Sequence, residues 1–251
     1  MNITRRSQVE PSVFCTFTTY SGRGAMSNYA RFFRPNLPQH IDCLVEVEKL
    51  AWSSPGENIE ACREKLALRA VSYPGHQSVV LAMVGDEPAG SQYAFQFNWD
   101  QNIAALSSWD EYTASGWTNK VHNSLGNTGF LVGVGVVPKF RGLKVTHNLR
   151  WLGKYKISEL LIAKTLDNLF RRCVKQVIAN ARIPFYHMQS HLSVHEYCAL
   201  RRDDGKLFDP VLRFHERMGA KIIKPIEYSM KDAESLNGGC WVVYQHRFGG
   251  V

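Results

Sequence analysis

Residues 129–170 limit the possible folds of this chain more than any other segment. Residues 129–138 read Gly-Phe-Leu-Val-Gly-Val-Gly-Val-Val-Pro, an apolar run that holds three glycines and stops at a proline. Such a run is a strand whose backbone is approached closely by something else. Lys139-Phe140-Arg141-Gly142 follows as a basic turn, and Ile157, Leu160, Leu161, Ala163, Leu166, Leu169 and Phe170 then recur at helical spacing. A strand, a basic turn and a helix start make a place for an anion. The first-turn N–H groups have no intrahelical partner, and the positive end of the helix dipole lies there. A pyrophosphate suits such a place; an ordinary strand-loop-helix connection is the competing reading.

The flanking sequence supplies the rest of a sheet. Arg31-Phe32-Phe33-Arg34 reads as a first strand, and Pro38 opens a helix through Ile41, Leu44, Val45, Val47, Glu48, Leu50 and Ala51. A second helix spans 59–72 with Cys62, Leu66, Arg69 and Ala70 as its spaced positions, and Pro74-Gly75 ends it. Residues 78–84 and 89–99 are rich in β-formers and joined by Gly85-Asp86-Glu87-Pro88, a hairpin signature. Residues 100–128, with Trp109, Tyr112 and Trp117 among Ser, Asn and Gly, read as a capping insertion that packs a lid or the edge of a pocket. Residues 176–182, 221–230 and 239–247 are further strands. The expected architecture is a mixed α/β (α+β) fold: about seven mostly antiparallel strands with helices on both faces. Residues 1–28 are polar and turn-rich and read as a tail or linker, which leaves 29–251 as one domain.

At 251 residues and 45% hydrophobic the chain can bury a full core. Its longest apolar runs fall well short of the roughly 20 residues that span a bilayer. Arg5 and Arg6 are not followed by an apolar run, so no secretory signal is expected, and the six cysteines are scattered without ligand-like spacing. Reduced thiols in the cytoplasm and no metal site follow as expectations. The formal charge of +8 favours an anionic partner, but the basic residues are dispersed, which disfavours nucleic acid.

Val137-Pro138-Lys139-Phe140-Arg141-Gly142, the long helix and the β run 176–182 resemble the coenzyme A-binding region of the GNAT acyltransferase superfamily. Arg182-Ile-Pro-Phe-Tyr-His187, Asp209-Pro-Val-Leu-Arg-Phe-His215, Met218-Gly219-Ala220 and Asp232-Ala-Glu-Ser-Leu236 narrow the resemblance to the GNAT-like loading domains of polyketide synthases. Trp52, the Tyr73-Pro74-Gly75 turn and the Trp109 region fit the same subgroup, so the likeness covers roughly residues 30 to 246. The resemblance implies a GNAT fold splayed where an acyl-coenzyme A enters. Val136, Val137, Arg141, Gly142, Lys144, Lys154, Lys156 and Ile157 would hold the cofactor, with Trp52 and Tyr186 at the substrate pocket.

The chain departs from that family's R/Q-x-x-G-x-G/A turn. Read directly, Lys144 and Thr146 stand where glycine and a small residue are expected; counted back from Arg182, Lys156 and Ser158 take those places and residues 143–154 are inserted. In either register a glycine is lost and lysines are gained, so ammonium groups are expected to take over phosphate contact.

The loading domains that the chain resembles decarboxylate malonyl-coenzyme A, or a methyl-substituted relative, and pass the acyl group to an acyl carrier protein within a polyketide synthase multienzyme. The developing enolate needs positioned hydrogen-bond donors, which a histidine and a hydroxyl can provide. The resemblance implicates His187 or His191 with Thr146 or Ser158, and Arg202 or Arg201 as a nearby arginine. Thr146 as a helix N-cap and Ser158 as a packing residue are the structural alternatives. Asp209-Pro210 reads as a helix start, and His195 and His215 as structural. A conventional N-acetyltransferase would draw on Tyr186, Glu196, Tyr197 or Glu227 for acid and base, and a non-catalytic acyl-coenzyme A-binding domain is the third possibility.

Overall fold

The computed structural model describes residues 13–19, 29–52, 58–70, 78–147 and 154–246. One ten-stranded sheet runs through it in the order β7-β6-β1-β2-β3-β4-β5-β8-β10-β9. Tyr29–Phe33 is β2, Ser78–Val84 β3, Glu87–Phe97 β4 and Thr128–Val136 β5. Gln176–Ala181 is β8, Lys221–Ile226 β9 and Gly239–Gln245 β10. These strands form the expected sheet, antiparallel at every junction except β5 with β8. Three more strands extend its β2 edge: Val13–Thr19 (β1), Lys144–His147 (β6) and Lys154–Lys156 (β7). Residues 13–19 are therefore not tail, as the sequence reading had them. They pair with β2 on one side and β6 on the other, so the ladder begins ahead of Tyr29.

Helix α1 (Ile41–Trp52) buries Ile41, Leu44, Val45 and Val47, one helical stripe, and α2 (Ile59–Ala70) buries the expected Cys62, Leu66, Arg69 and Ala70. Pro38 lies in the turn before α1 rather than at its first position. Helix α4 (Ile157–Phe170) buries Ile157, Leu161, Ile162, Thr165 and Leu169. The two long helices cover opposite faces of the sheet. A Cβ at Gly135 would meet Ala51 of α1, whereas a Cβ at Gly90, which pairs with the next residue Val136, would meet Leu161 of α4.

On the α1 face, Phe95 stacks on Phe130 with centroids 5.1 Å apart, and Phe130 and Tyr112 meet Trp241 edge-on at 5.5 and 4.9 Å. Offset and edge-on arrangements suit the ring quadrupoles and add to the large apolar area that each ring buries. Tyr112 comes from α3 (Trp109–Thr113), so the aromatic insertion does cap the sheet, and Lys224 and Trp241 hold residues 104–107 through their backbone carbonyls. A second core lies under α5 (Val194–Ala199) and α6 (Pro210–Arg217). Asp209 starts α6 as expected, its carboxylate accepting from the Val211 and Leu212 N–H groups at 2.8 and 3.0 Å. Among the described residues no helix is long and apolar enough to cross a membrane.

Candidate active site

Strands β5 and β8 are paired only from Thr128↔Gln176 to Leu131↔Ala179; beyond that point β5 has no β8 partner. The cause is local. Opposite β5, Tyr93 pairs with Gly133 and Ala94 with Leu131, so Val132 is an extra residue, a β-bulge that bends the strand. The Val132 carbonyl accepts from the Trp109 indole N–H at 3.0 Å, so the capping insertion pins the bulge. Replacing Trp109 with Phe leaves that carbonyl without its donor. The expected result is a loss of about 2 kcal/mol in urea-unfolding free energy.

Above the bulge, Gly133 and Gly135 face Trp52 at the end of α1. A Cβ on Gly133 would lie 3.5 Å from the indole ring, and one on Gly135 would lie 3.4 Å from its Nε1 and 3.0 Å from the Ala51 Cβ. Trp52 thus packs against the glycines, which explains why that strand carries them. The Arg182 guanidinium, just past the end of β8, sits 5.9 Å from the centroid of the same ring. Trp52 therefore spans the parting strands.

Arg182 is held in turn by the loop between β9 and β10. Its Nε and Nη2 donate to the two Asp232 oxygens at 2.7 Å each, and Nη2 also donates to Glu234 at 2.9 Å. Burial works against the Asp232 carboxylate. The hydrogen bonds from Arg182 and Ser235 outweigh it and hold its pKa below the ordinary value, while the Arg182 pKa is raised by the same pairing. The Ser235 hydroxyl also accepts from the Ile183 N–H at 3.1 Å, a second tie between this loop and the end of β8. His187 lies in the short 3-10 turn Tyr186–Gln189, its Nδ1 2.9 Å from the Glu234 carbonyl and 2.9 Å from that of Pro184.

The start of α4 shows which of the two lysine–hydroxyl pairs stands at a helix. Helix α4 begins at Ile157, so Lys156 and Ser158 stand at its start, while Lys144–His147 and Lys154–Lys156 form the antiparallel pair β6–β7. Thr146 is not at a helix start, as one reading required; it is buried in β6 opposite Lys154. Lys144 lies directly across from Lys156, and strand alternation puts Lys154 on the same face. The Lys156 N–H donates to Glu159 at 2.8 Å, and Arg217 pairs with the same carboxylate at 2.6 Å.

Other sequence candidates are placed as follows. Arg141 donates from Nε to the Val136 carbonyl at 3.1 Å and from Nη2 to the Ala51 carbonyl at 2.8 Å, closing the end of α1 against β5. Gly142 has φ of +83°, which makes glycine the residue for that turn. Val137 is buried and donates its N–H to the Ala89 carbonyl at 3.0 Å. The Tyr186 hydroxyl donates to the Leu192 carbonyl at 2.9 Å and its ring packs on Tyr197, 5.0 Å away; it belongs to the core under α5 rather than to a wall shared with Trp52.

Arg202 is exposed in the turn closed by the Arg201↔Leu207 bridge, its Nε 3.8 Å from Asp204. His191 is exposed before α5. Among the described residues no hydrogen bond joins Arg202, His191 or Ser158 to His187. The Tyr197 hydroxyl is committed to Asp209 at 2.8 Å, and Glu196 closes the capping box of α5 with Ser193. Arg182 and the acidic pair Asp232 and Glu234 are the residues here that sequence reasoning left without roles, whereas Trp109 was read as part of a capping insertion. Their signal was an arginine at a strand end and two carboxylates two residues apart in a distant loop.

No protein-family model matches the chain, and no curated protein matches it. Solved structures do. The loading GNATL domain of CurA from Lyngbya majuscula superposes with a TM-score of 0.67 at 23% identity, over 87% of this chain and 98% of that one. The GphF GNAT-like decarboxylase, solved in complex with isobutyryl-CoA, gives 0.62 at 20% identity, over 86% and 98%. By sheet order, by the parting of the parallel pair β5–β8 and by these superpositions, the chain has the GNAT fold.

Proposed function

We propose that this domain binds malonyl- or methylmalonyl-coenzyme A, decarboxylates it, and passes the acyl group to the phosphopantetheine thiol of an acyl carrier protein. The observation that carries the reading is the parting of β5 from β8, with Trp52 over the β5 glycines, Arg182 beside the indole, and His187 bonded to the same loop that grips Arg182. The likeness to a loading domain and to a decarboxylase with bound isobutyryl-CoA supports the substrate class.

In the first step the bond between the malonyl carboxylate and the α-carbon breaks. Its electron pair moves into the thioester carbonyl, carbon dioxide leaves, and the enolate then takes up a proton at carbon. A donor held at the thioester oxygen lowers that barrier because negative charge gathers there. His187 fits this role, with the Ser158 hydroxyl at the start of α4 as its partner. In the second step the carrier thiol adds to the carbonyl and coenzyme A leaves as a thiol.

Anion binding is assigned to the β6–β7 pair and the first turn of α4. Two lysines directly opposite on antiparallel strands repel, which a bound diphosphate between Lys144 and Lys156 would relieve. Val136 is assigned to the path between that anion and Trp52, and Arg141 and Gly142 to its turn; Val137 and Ile157 are buried in the core and support it from behind. An N-acetyltransferase reading draws less support, because Glu196, Tyr186 and Tyr197 are already engaged in structural hydrogen bonds.

The test is incubation with malonyl-, methylmalonyl- and acetyl-coenzyme A, with and without holo carrier protein, following carbon dioxide and carrier mass. His187→Ala is expected to slow carbon dioxide release at least about tenfold, on the order of 1.4 kcal/mol in barrier, with His191→Ala near wild type. Absence of carbon dioxide from the wild-type protein with either diacid thioester discards the decarboxylase reading, and coenzyme A binding without turnover would favour a non-catalytic domain.

A further inference from the structure

His187 has an unusual ring environment: both neighbours of its Nδ1 are backbone carbonyls, of Pro184 and Glu234, each at 2.9 Å. A carbonyl only accepts, so Nδ1 must carry the hydrogen. In the neutral ring Nε2 is then the bare nitrogen, the reverse of the Nε2–H form that predominates for histidine in water. One of the two carbonyls belongs to the chain segment next to His187 itself. The other arrives from a loop more than forty residues away in sequence, and its position depends on what holds that loop.

What holds it is the Arg182 clamp. The Asp232 carboxylate grips Nε and Nη2 of Arg182, the Glu234 side chain takes a further bond from Nη2, and the Asn237 side chain accepts from the Asp232 N–H at 3.0 Å. Bidentate arginine–carboxylate pairing fixes orientation as well as distance. Arg182 leads directly out of β8, so the clamp ties the Glu234 peptide to the rigid sheet rather than to another loop.

We propose that Arg182, Asp232 and Glu234 are positioning residues for His187. Together they hold the Glu234 carbonyl where it keeps a proton on Nδ1, so that Nε2 alone faces the acyl thioester; a ring that carries a second proton, on Nε2, donates it to the developing enolate and is left as the neutral Nδ1–H form. The carboxylates act through Arg182 and the peptide, and do not touch substrate. The role of Nε2 in turnover rests on the function proposed above; the assignment of the tautomer does not.

The experiment is long-range 1H–15N correlation on the full chain with 15N-labelled imidazoles, without ligand, at a pH where the rings are neutral. The His187 resonances are identified by their loss in His187→Gln. Wild type is expected to show His187 protonated at Nδ1. Asp232→Asn, which removes the charge that grips Arg182, is expected to shift the ring to mostly Nε2–H. It should lower kcat about tenfold while KM for the acyl-coenzyme A changes less than about twofold. Glu234→Gln keeps the carbonyl and the Asp232 grip and should retain the wild-type tautomer.

An Nε2–H ring in wild type overturns the inference outright, and so does an Asp232→Asn protein that keeps the Nδ1–H form. If Asp232→Asn does not fold, Arg182→Lys takes its place with the same expected shift, and the wild-type spectrum already tests the tautomer. An Nδ1–H ring in a protein that releases no carbon dioxide would refute the decarboxylase reading while leaving the clamp intact.

Discussion

Acidification from 6.5 to about 4 is expected to remove on the order of 3 kcal/mol of folding free energy through His215 alone. This histidine is buried in α6 with its Nδ1 2.6 Å from the Tyr244 hydroxyl, and burial drives its pKa from 6.5 down to about 4. In the unfolded chain the ring takes a proton at the higher value, while in the fold it resists until the lower one. Between the two the unfolded state binds more protons, so stability is whole above the window and falls as pH drops through it.

Other groups act in different directions or at lower pH. The Asp209 pKa is raised by burial, so its protonation favours the fold on acidification and offsets part of the loss. Asp232, held below the ordinary carboxylate value, adds a loss only below the His215 window. Urea-unfolding free energies measured across the window should fall in wild type and stay nearly level in His215→Gln. Equal slopes in the two proteins would show that His215 is not the source.

Gly135→Val is expected to weaken acyl-coenzyme A binding by roughly tenfold to a hundredfold. The Cβ alone would stand 3.0 Å from the Ala51 Cβ and 3.4 Å from the Trp52 Nε1, so two further methyl groups must displace the indole. Overpacking of that size costs about 1–3 kcal/mol, and the displaced ring moves into the space between β5 and β8 that the thioester needs. Titration calorimetry with acetyl-coenzyme A measures the loss. Adding Trp52→Ala to Gly135→Val should recover part of the stability lost by Gly135→Val, since the clash partner is gone and the two sites touch. Unchanged affinity in Gly135→Val would place the thioester elsewhere.

What could be read from sequence was whatever local pattern dictates. The glycine-bearing strand, the stripe of α2 and the Asp209-Pro210 helix start all follow from residue spacing and turn chemistry within a few positions. The β6–β7 pair was not legible in that way, because its strands are short and carry lysines where a core-facing strand would carry apolar residues. β1 was hidden for a related reason: Val13, Phe14, Thr16 and Phe17 suit a strand, but the polar, turn-rich sequence around them reads as linker. The site was legible in its parts and not in its assembly. Arg182 and Asp232 are fifty residues apart, and only the return of β9 and β10 beside β8 makes them partners.

The extra residue at Val132 also changes what the sheet offers on either side of it. In an unbroken strand Phe130, Val132, Val134 and Val136 would share one face, and the whole length of β5 would be upholstered with large side chains. With one residue inserted, the α1 face passes from Phe130 to Gly133 and Gly135, and Val136 turns to meet Gly90 on the other side. One half of the strand is furnished for packing and the other left as smooth main chain. A single step in parity thus separates the part of β5 that packs through large side chains from the part whose bare main chain receives the indole of Trp52.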